Sequence, residues 1–104
     1  MKYVLRFFPE VEDDVVAGYE WYEEKSRGLG EEFLRMFDSA VFEILRHPLL
    51  SPELDQGFRR RLLRRFPYAI YYTIESNEII VSGFFHCARD PANIRRNLLK
   101  RSGE

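Results

Sequence analysis

Apolar and polar positions change rhythm twice along the chain. Lys2 to Phe8 alternates weakly and is rich in Tyr, Val, Leu and Phe, which predicts a short first strand. Pro9 follows, then Glu10, Glu12, Asp13 and Asp14. A proline has the φ of a first helical turn, and acidic side chains suit the positive N-terminal end. Val11, Val15, Tyr19 and Tyr22 recur at the spacing of one helix face, flanked by Val16 and Trp21. This helix is expected to run to about Ser26, where Gly28-Leu29-Gly30 breaks it. A second helix is expected from about Glu31 to Arg46. Its stripe is Phe33, Leu34, Phe37, Val41, Ile44 and Leu45, with Ala40 where two helices can approach closely. Pro48 stops it, and the short link makes the pair an antiparallel hairpin.

Leu49 to Gly57, with Pro52 and Gly57, reads as a loop. From Phe58 onward the pattern is β. Phe58 to Arg65 is predicted as one strand, Phe66-Pro67 as a break, Tyr68 to Glu75 and Glu78 to Cys87 as two further strands. Ser76-Asn77 is the hairpin turn between them, since Asn tolerates positive φ. Gly83 inside a strand points to a bulge or a close backbone approach by a partner. Asp90-Pro91 reads as an N-cap followed by proline at the first helical position, opening a terminal helix to about Leu99 with Ile94, Leu98 and Leu99 inward. The order is β-α-α-β-β-β with a final helix. Helices followed by antiparallel strands imply an α+β domain over residues 1–104, with the helix pair covering one sheet face. Strand 58–65 would place Phe58, Arg60, Leu62 and Arg64 on one side and Arg59, Arg61, Leu63 and Arg65 on the other. Neither side is cleanly apolar, which suits a sheet with one open, basic face.

Composition narrows the class. At 104 residues there is room for one core, and nine Phe with six Tyr argue against disorder. A single cysteine, Cys87, excludes an internal disulfide and a four-cysteine zinc site; it reads as a buried structural thiol. The histidines are His47 and His86, so a closed metal site would need mostly carboxylates, and neither metal nor cofactor is expected. The cluster Glu10, Glu12, Asp13 and Asp14 reads as a solvated helix start. The charged first residues carry no signal-peptide pattern, and the longest mainly apolar stretch, Ile79 to Phe85, is too short to span a bilayer. A cytoplasmic protein with no membrane partner is expected.

Charge changes the picture more. Residues 1–56 hold six basic and thirteen acidic side chains; residues 57–104 hold ten basic and four acidic ones, all the basic ones arginine except Lys100. Such a split points to an anionic partner for the second half, and arginine is the better bidentate ligand for phosphate or carboxylate. Arg59, Arg60, Arg61, Arg64, Arg65 and Arg89 are the candidate target- or phosphate-binding residues. The alternative is that these arginines pair with the acidic helices of the first half.

At this point the residues resemble a family. The Pro9-Glu10 helix start, Glu53-Leu54, Gly57-Phe58-Arg59-Arg60, Arg64-Arg65-Phe66-Pro67-Tyr68-Ala69-Ile70-Tyr71-Tyr72 and His86-Cys87-Ala88-Arg89-Asp90-Pro91 resemble the RelE/ParE superfamily. These are the toxin halves of type II toxin–antitoxin modules, also known as plasmid stabilisation proteins. The resemblance implies a growth-inhibiting toxin held inactive by a cognate antitoxin. RelE-like members cut messenger RNA on the ribosome without a metal; ParE-like members block DNA gyrase. Metal-free cleavage needs a base for the 2′-hydroxyl, a cation at the phosphate and an acid for the leaving oxygen. His86, Arg65, Arg61 and Arg89 are the residues that would serve. The plainer roles are a His86 that hydrogen-bonds the backbone at the strand end and an Asp90 that caps a helix. Members that cleave RNA carry lysines in this region and an aromatic or His residue near the chain end. Here the only late lysine is Lys100 and no Tyr follows Tyr72, which tilts the expectation toward a ParE-like block of a protein target such as DNA gyrase. A ribosome-dependent endoribonuclease and a non-toxic RNA- or protein-binding module stay in play. Edge strands and aromatic helix faces also leave a homodimer open.

Overall fold

The structure, a computed structural model that describes residues 2–103, contains β1 (Val4–Phe7), α1 (Pro9–Lys25), α2 (Leu29–Arg46), β2 (Glu53–Asp55), β3 (Phe58–Leu62), β4 (Tyr68–Glu75), β5 (Glu78–His86) and α3 (Pro91–Arg101). Gly28 makes the link between the helices abrupt: its φ of 90° lies in the left-handed region, where a Cβ is strained. The Glu23 carboxylate of α1 then accepts the backbone N–H groups of Gly28 and Gly30, at 3.0 and 2.9 Å. These are donors that a helix start leaves unpaired, so one helix caps the next and fixes the hairpin.

The sheet runs β1-β5-β4-β3-β2. The strands from β2 to β5 pair antiparallel, and β1 joins β5 in parallel. The helical hairpin carries the chain from one edge of the sheet to the other, so β1 and β2 are its two outer strands. On one face α1 and α2 bury Val11, Phe33, Phe37 and Ile44 against Ile70, Tyr72, Val81 and Phe84. The Tyr72 hydroxyl, fully buried, donates to the Pro48 carbonyl at 2.7 Å and ties the loop after α2 to β4. On the other face α3 lays Ile94 and Leu98 on Phe58, Ala69, Tyr71 and Phe85.

Three expectations change. The basic sheet face is not open: α3 covers part of it, because Ile94 and Leu98 supply an apolar stripe the sheet can bury. The strand expected over 58–65 ends at Leu62. Leu63 and Phe66 are both buried in the hairpin-side core, and residues three apart reach one face only if the chain turns. Arg65 accordingly has φ 71°. Within the expected loop, Glu53–Asp55 forms β2. All three of its side chains are exposed, so it has no apolar pattern; backbone pairing with β3 makes it a strand. At Gly83 the bulge is found, and what crowds the glycine is a ring of its own strand. Tyr71 faces Gly83 while Tyr72 faces Val81, which leaves Ser82 as the bulged residue, and a Cβ on Gly83 would stand 2.5 Å from the Phe85 ring.

Candidate functional site

The six arginines singled out above part company in the fold. Alternation along β3 sends Arg59 and Arg61 toward the helical hairpin and Arg60 toward α3. Arg59 donates to the Ser51 carbonyl at 2.7 Å and lies 3.8 Å from the Glu53 carboxylate. Arg61 donates to Glu43 of α2 at 2.9 Å, and Arg64 approaches the other oxygen of that carboxylate at 3.7 Å. Arg65, past the end of the strand, pairs with Glu32 of α2. The acidic helices therefore hold three of these guanidiniums. Arg59, Arg61 and Arg65 do not form a phosphate clamp on one strand face, because Arg65 is not on that strand.

Arg60 and Arg89 behave differently. Both are exposed, and among the described residues neither makes an ion pair. They meet at a cavity of about 440 Å³ between β3, β4 and α3. Arg89 owes its place to the turn after β5. The Cys87 N–H donates to the Pro67 carbonyl at 2.7 Å and the Arg89 N–H to the His86 carbonyl at 3.1 Å. Asp90 then caps α3, its carboxylate accepting the Ala92 N–H at 3.2 Å. Between turn and cap, the Arg89 guanidinium stands 4.9 Å from the centre of the Phe85 ring, a cation–π arrangement.

His86 is not among the residues lining that cavity. It is the last residue of β5, in register with Tyr68, and its ring centre lies 5.2 Å from that of Tyr68. Its Nδ1 accepts the Ala88 N–H at 2.9 Å, so that nitrogen is committed to the turn. Burial pushes the Tyr68 phenol above its ordinary value of 10, the Tyr22 ring and Asp14 adding to the rise and Arg89 opposing it. Tyr68 is thus a neutral phenol at physiological pH and no general base for its neighbour. Cys87 is corrected from a buried thiol to an exposed one on the cavity wall: the strand stops at His86, so alternation no longer directs its side chain inward.

Two functional-looking features escape a reading of the sequence. Arg95 of α3 lines the cavity and forms an ion pair with Asp55 at 3.2 Å; the only local signal is its place beside the inward stripe of Ile94 and Leu98. The other is a pair 87 residues apart. Arg101 meets Asp14 in two contacts of 2.8 and 3.1 Å, with both side chains about seven-eighths buried. Asp14 therefore leaves the solvated cluster assigned to it. Among the described residues no group of three or more His, Cys, Asp or Glu stands together as a metal site, and no helix is long and apolar enough to cross a membrane.

No family model matches the chain, and no curated protein matches it. Solved structures do. A chain of the chromosomal ParDE toxin–antitoxin system from P. aeruginosa is similar over 81% of this chain and 95% of its own, at 18% identity and a TM-score of 0.62. An arginine-substituted mutant of the E. coli toxin RelE, in the free state, is similar over 97% of this chain and 98% of its own, at 15% identity and a TM-score of 0.62. The chain has the RelE/ParE-like α+β fold: a helical hairpin on one face of a five-stranded sheet.

Proposed function

We propose that this protein is the toxin half of a toxin–antitoxin pair, acting in the cytoplasm, and that it arrests growth by blocking a protein target such as DNA gyrase. The fold shared with ParDE and RelE structures supports the toxin reading. One observation carries the choice of mechanism: His86 does not line the cavity at which the Arg60 and Arg89 guanidiniums meet. A base must come within hydrogen-bond reach of the proton it takes, and a cation must stand at the same phosphate. Here Arg60 and Arg89 gather at a cavity that His86 does not line, and Nδ1 of His86 is engaged by Ala88. Cations without an acid–base partner serve binding. Arg60 and Arg89 are the target-contacting residues in this reading, and a cognate antitoxin covers them.

Inducible expression without any neighbouring gene tests it. The parent is expected to stop growth, to inhibit DNA supercoiling and to leave mRNA intact. Toxicity should survive His86→Ala and be lost in the Arg60→Ala, Arg89→Ala double variant. Specific cuts in mRNA that vanish with His86→Ala would replace this mechanism with ribosome-dependent cleavage, the RelE-like alternative. Normal growth would remove the toxin reading.

A further inference from the structure

The outer edge of β1 carries unpaired backbone groups. β1 ends the sheet, so among the described residues no strand lies on its far side, and Val4, Arg6 and Phe7 are exposed. The Val4 N–H donates to the Asn77 carbonyl at 2.8 Å and the Phe8 N–H to the Val81 carbonyl at 3.0 Å. Even positions therefore face β5, and alternation aims the N–H and C=O groups of Leu5 and Phe7 at the open side. Proteins guard such an edge with charge, proline or a bulge. Here the one charge in the strand, Arg6, is turned back onto Glu78 of β5 at 3.1 Å. Two apolar clefts flank the edge on the hairpin side, one at each end. At the start of the strand, Tyr3 lines a cleft with Pro48, Leu49 and Leu50. At its end, Phe7 lines another with Val15, Val16 and Phe37. Leu49 and Leu50 are 65% and 67% exposed, Phe7 and Val16 44% and 45%. Apolar surface gathered in this way marks an interaction site. The two ends differ in charge: Arg46 closes α2 beside the first cleft, and Glu10 and Glu12 open α1 beside the second.

We propose that the occupant of this edge is a second copy of the chain, β1 pairing antiparallel with β1 about a two-fold axis at Leu5, so that two five-stranded sheets become one. The register follows from which groups face outward. Hydrogen-bonded pairs must join odd positions, and an axis at Leu5 sets Tyr3 opposite Phe7 and Val4 opposite Arg6. The registers on either side set Arg6 opposite Arg6, or Lys2 opposite Arg6, and like charges directly opposite destabilise a pair. The axis at Leu5 also lays the first cleft of each copy against the second cleft of the other. Leu49 and Leu50 then meet Phe7 and Val16, and Arg46 comes to the end of the molecule that holds Glu10 and Glu12. The surface is thus complementary to itself in shape and in charge, as a closed two-fold contact requires. The Arg60–Arg89 cavity, lined in part by Leu54 and Asp55 of the opposite edge strand, stays open in both copies.

Sedimentation of the whole protein from micromolar to submillimolar concentration tests it, and should show an equilibrium between one and two copies. The Leu49→Glu, Leu50→Glu double variant puts unpaired charge into the contact and should weaken association about tenfold or more. Leu62→Glu, at a comparably exposed leucine on β3, should leave it unchanged. Disulfide trapping reads the register. Opposite residues of a non-hydrogen-bonded pair stand about 4.5 Å apart at Cα, within the span of a disulfide. With Cys87→Ser in the background, a mixture of Val4→Cys and Arg6→Cys chains should link on oxidation in air, and neither variant alone should. All the substituted positions are exposed, and an unchanged circular dichroism spectrum verifies that the variants fold. A single copy at every concentration would overturn the proposal. So would a double leucine variant that associates as the parent does, or a mixture that links no better than either cysteine variant alone.

Discussion

Tyr68 illustrates how far a single side chain here is set by what covers it. Its hydroxyl makes no hydrogen bond among the described contacts, and its ring packs against Phe33 and Phe84. Burial disfavours the phenolate and raises its pKa above 10; burial does the same to Tyr22. The sign for stability follows from linkage. With the folded pKa above the unfolded one, the folded state keeps its proton as the unfolded state loses one. Stability from this source is full below about pH 10 and falls as pH rises through the raised value. Tyr68→Phe removes the ionisable group and keeps the ring. Melting temperatures followed from pH 8 to 11 should therefore fall less steeply for Tyr68→Phe than for the parent. An identical slope would show that Tyr68 is not held neutral by the core. Arg65 shows the same dependence in the backbone: its left-handed φ comes from sending both Leu63 and Phe66 into one core.

At the scale of elements, the helical hairpin is held by more than its apolar seam. Glu23 satisfies two N-terminal donors of α2 from the preceding helix. Its negative charge also opposes the positive end of the α2 dipole. Losing a cap costs about 1 kcal/mol, which in a domain of this size is roughly 4–8 °C of melting temperature. Glu23→Ala should show that loss, although alanine is the better helix former. Glu24→Ala, at the neighbouring exposed position, should shift the melting point by far less. Equal shifts would mean that the cap does not hold the turn. α1, α2 and α3 were readable in the sequence because each carries its own period, and α1 and α3 each open on a proline. β2 was not: with every side chain in water, only a partner strand makes it extended.

Across the whole molecule, α3 is tied to the opposite side of the sheet by one ion pair. β1 stops at Phe7, opposite Val81, so the edge of β5 beyond that point has no strand beside it. Arg101 donates to the Ser82 carbonyl at 3.1 Å, and Asp14 accepts the Phe84 N–H at 3.2 Å. The pair thus stands in for the missing strand and seals an edge whose polar groups would otherwise go unsatisfied. Removing one partner leaves a largely buried charge alone, which costs about 3–5 kcal/mol when burial is complete. Asp14→Ala is expected to cost somewhat less, about 2–4 kcal/mol, and to weaken amide protection throughout α3. Adding Arg101→Ala should then cost little more, giving a coupling above about 1 kcal/mol in a double-mutant cycle. Additive losses would show that the two residues act separately.

The sequence by itself determined the order of every element but β2, the helical hairpin, the Asp90 cap and the arginine-rich second half. Each of these is written in neighbouring residues, through a helical or strand period, a proline, or a run of like charge. Only the tertiary structure decided which guanidiniums are free. Arg61 finds Glu43 eighteen residues away and Arg101 finds Asp14 eighty-seven away, while Arg60, between Arg59 and Arg61 in the chain, points to the other face. A charge falls off with distance in space, not along the chain. Chemically identical neighbours were therefore assigned to ion pairs or to an open cavity by the packing of α2 and α3 on opposite faces of one sheet.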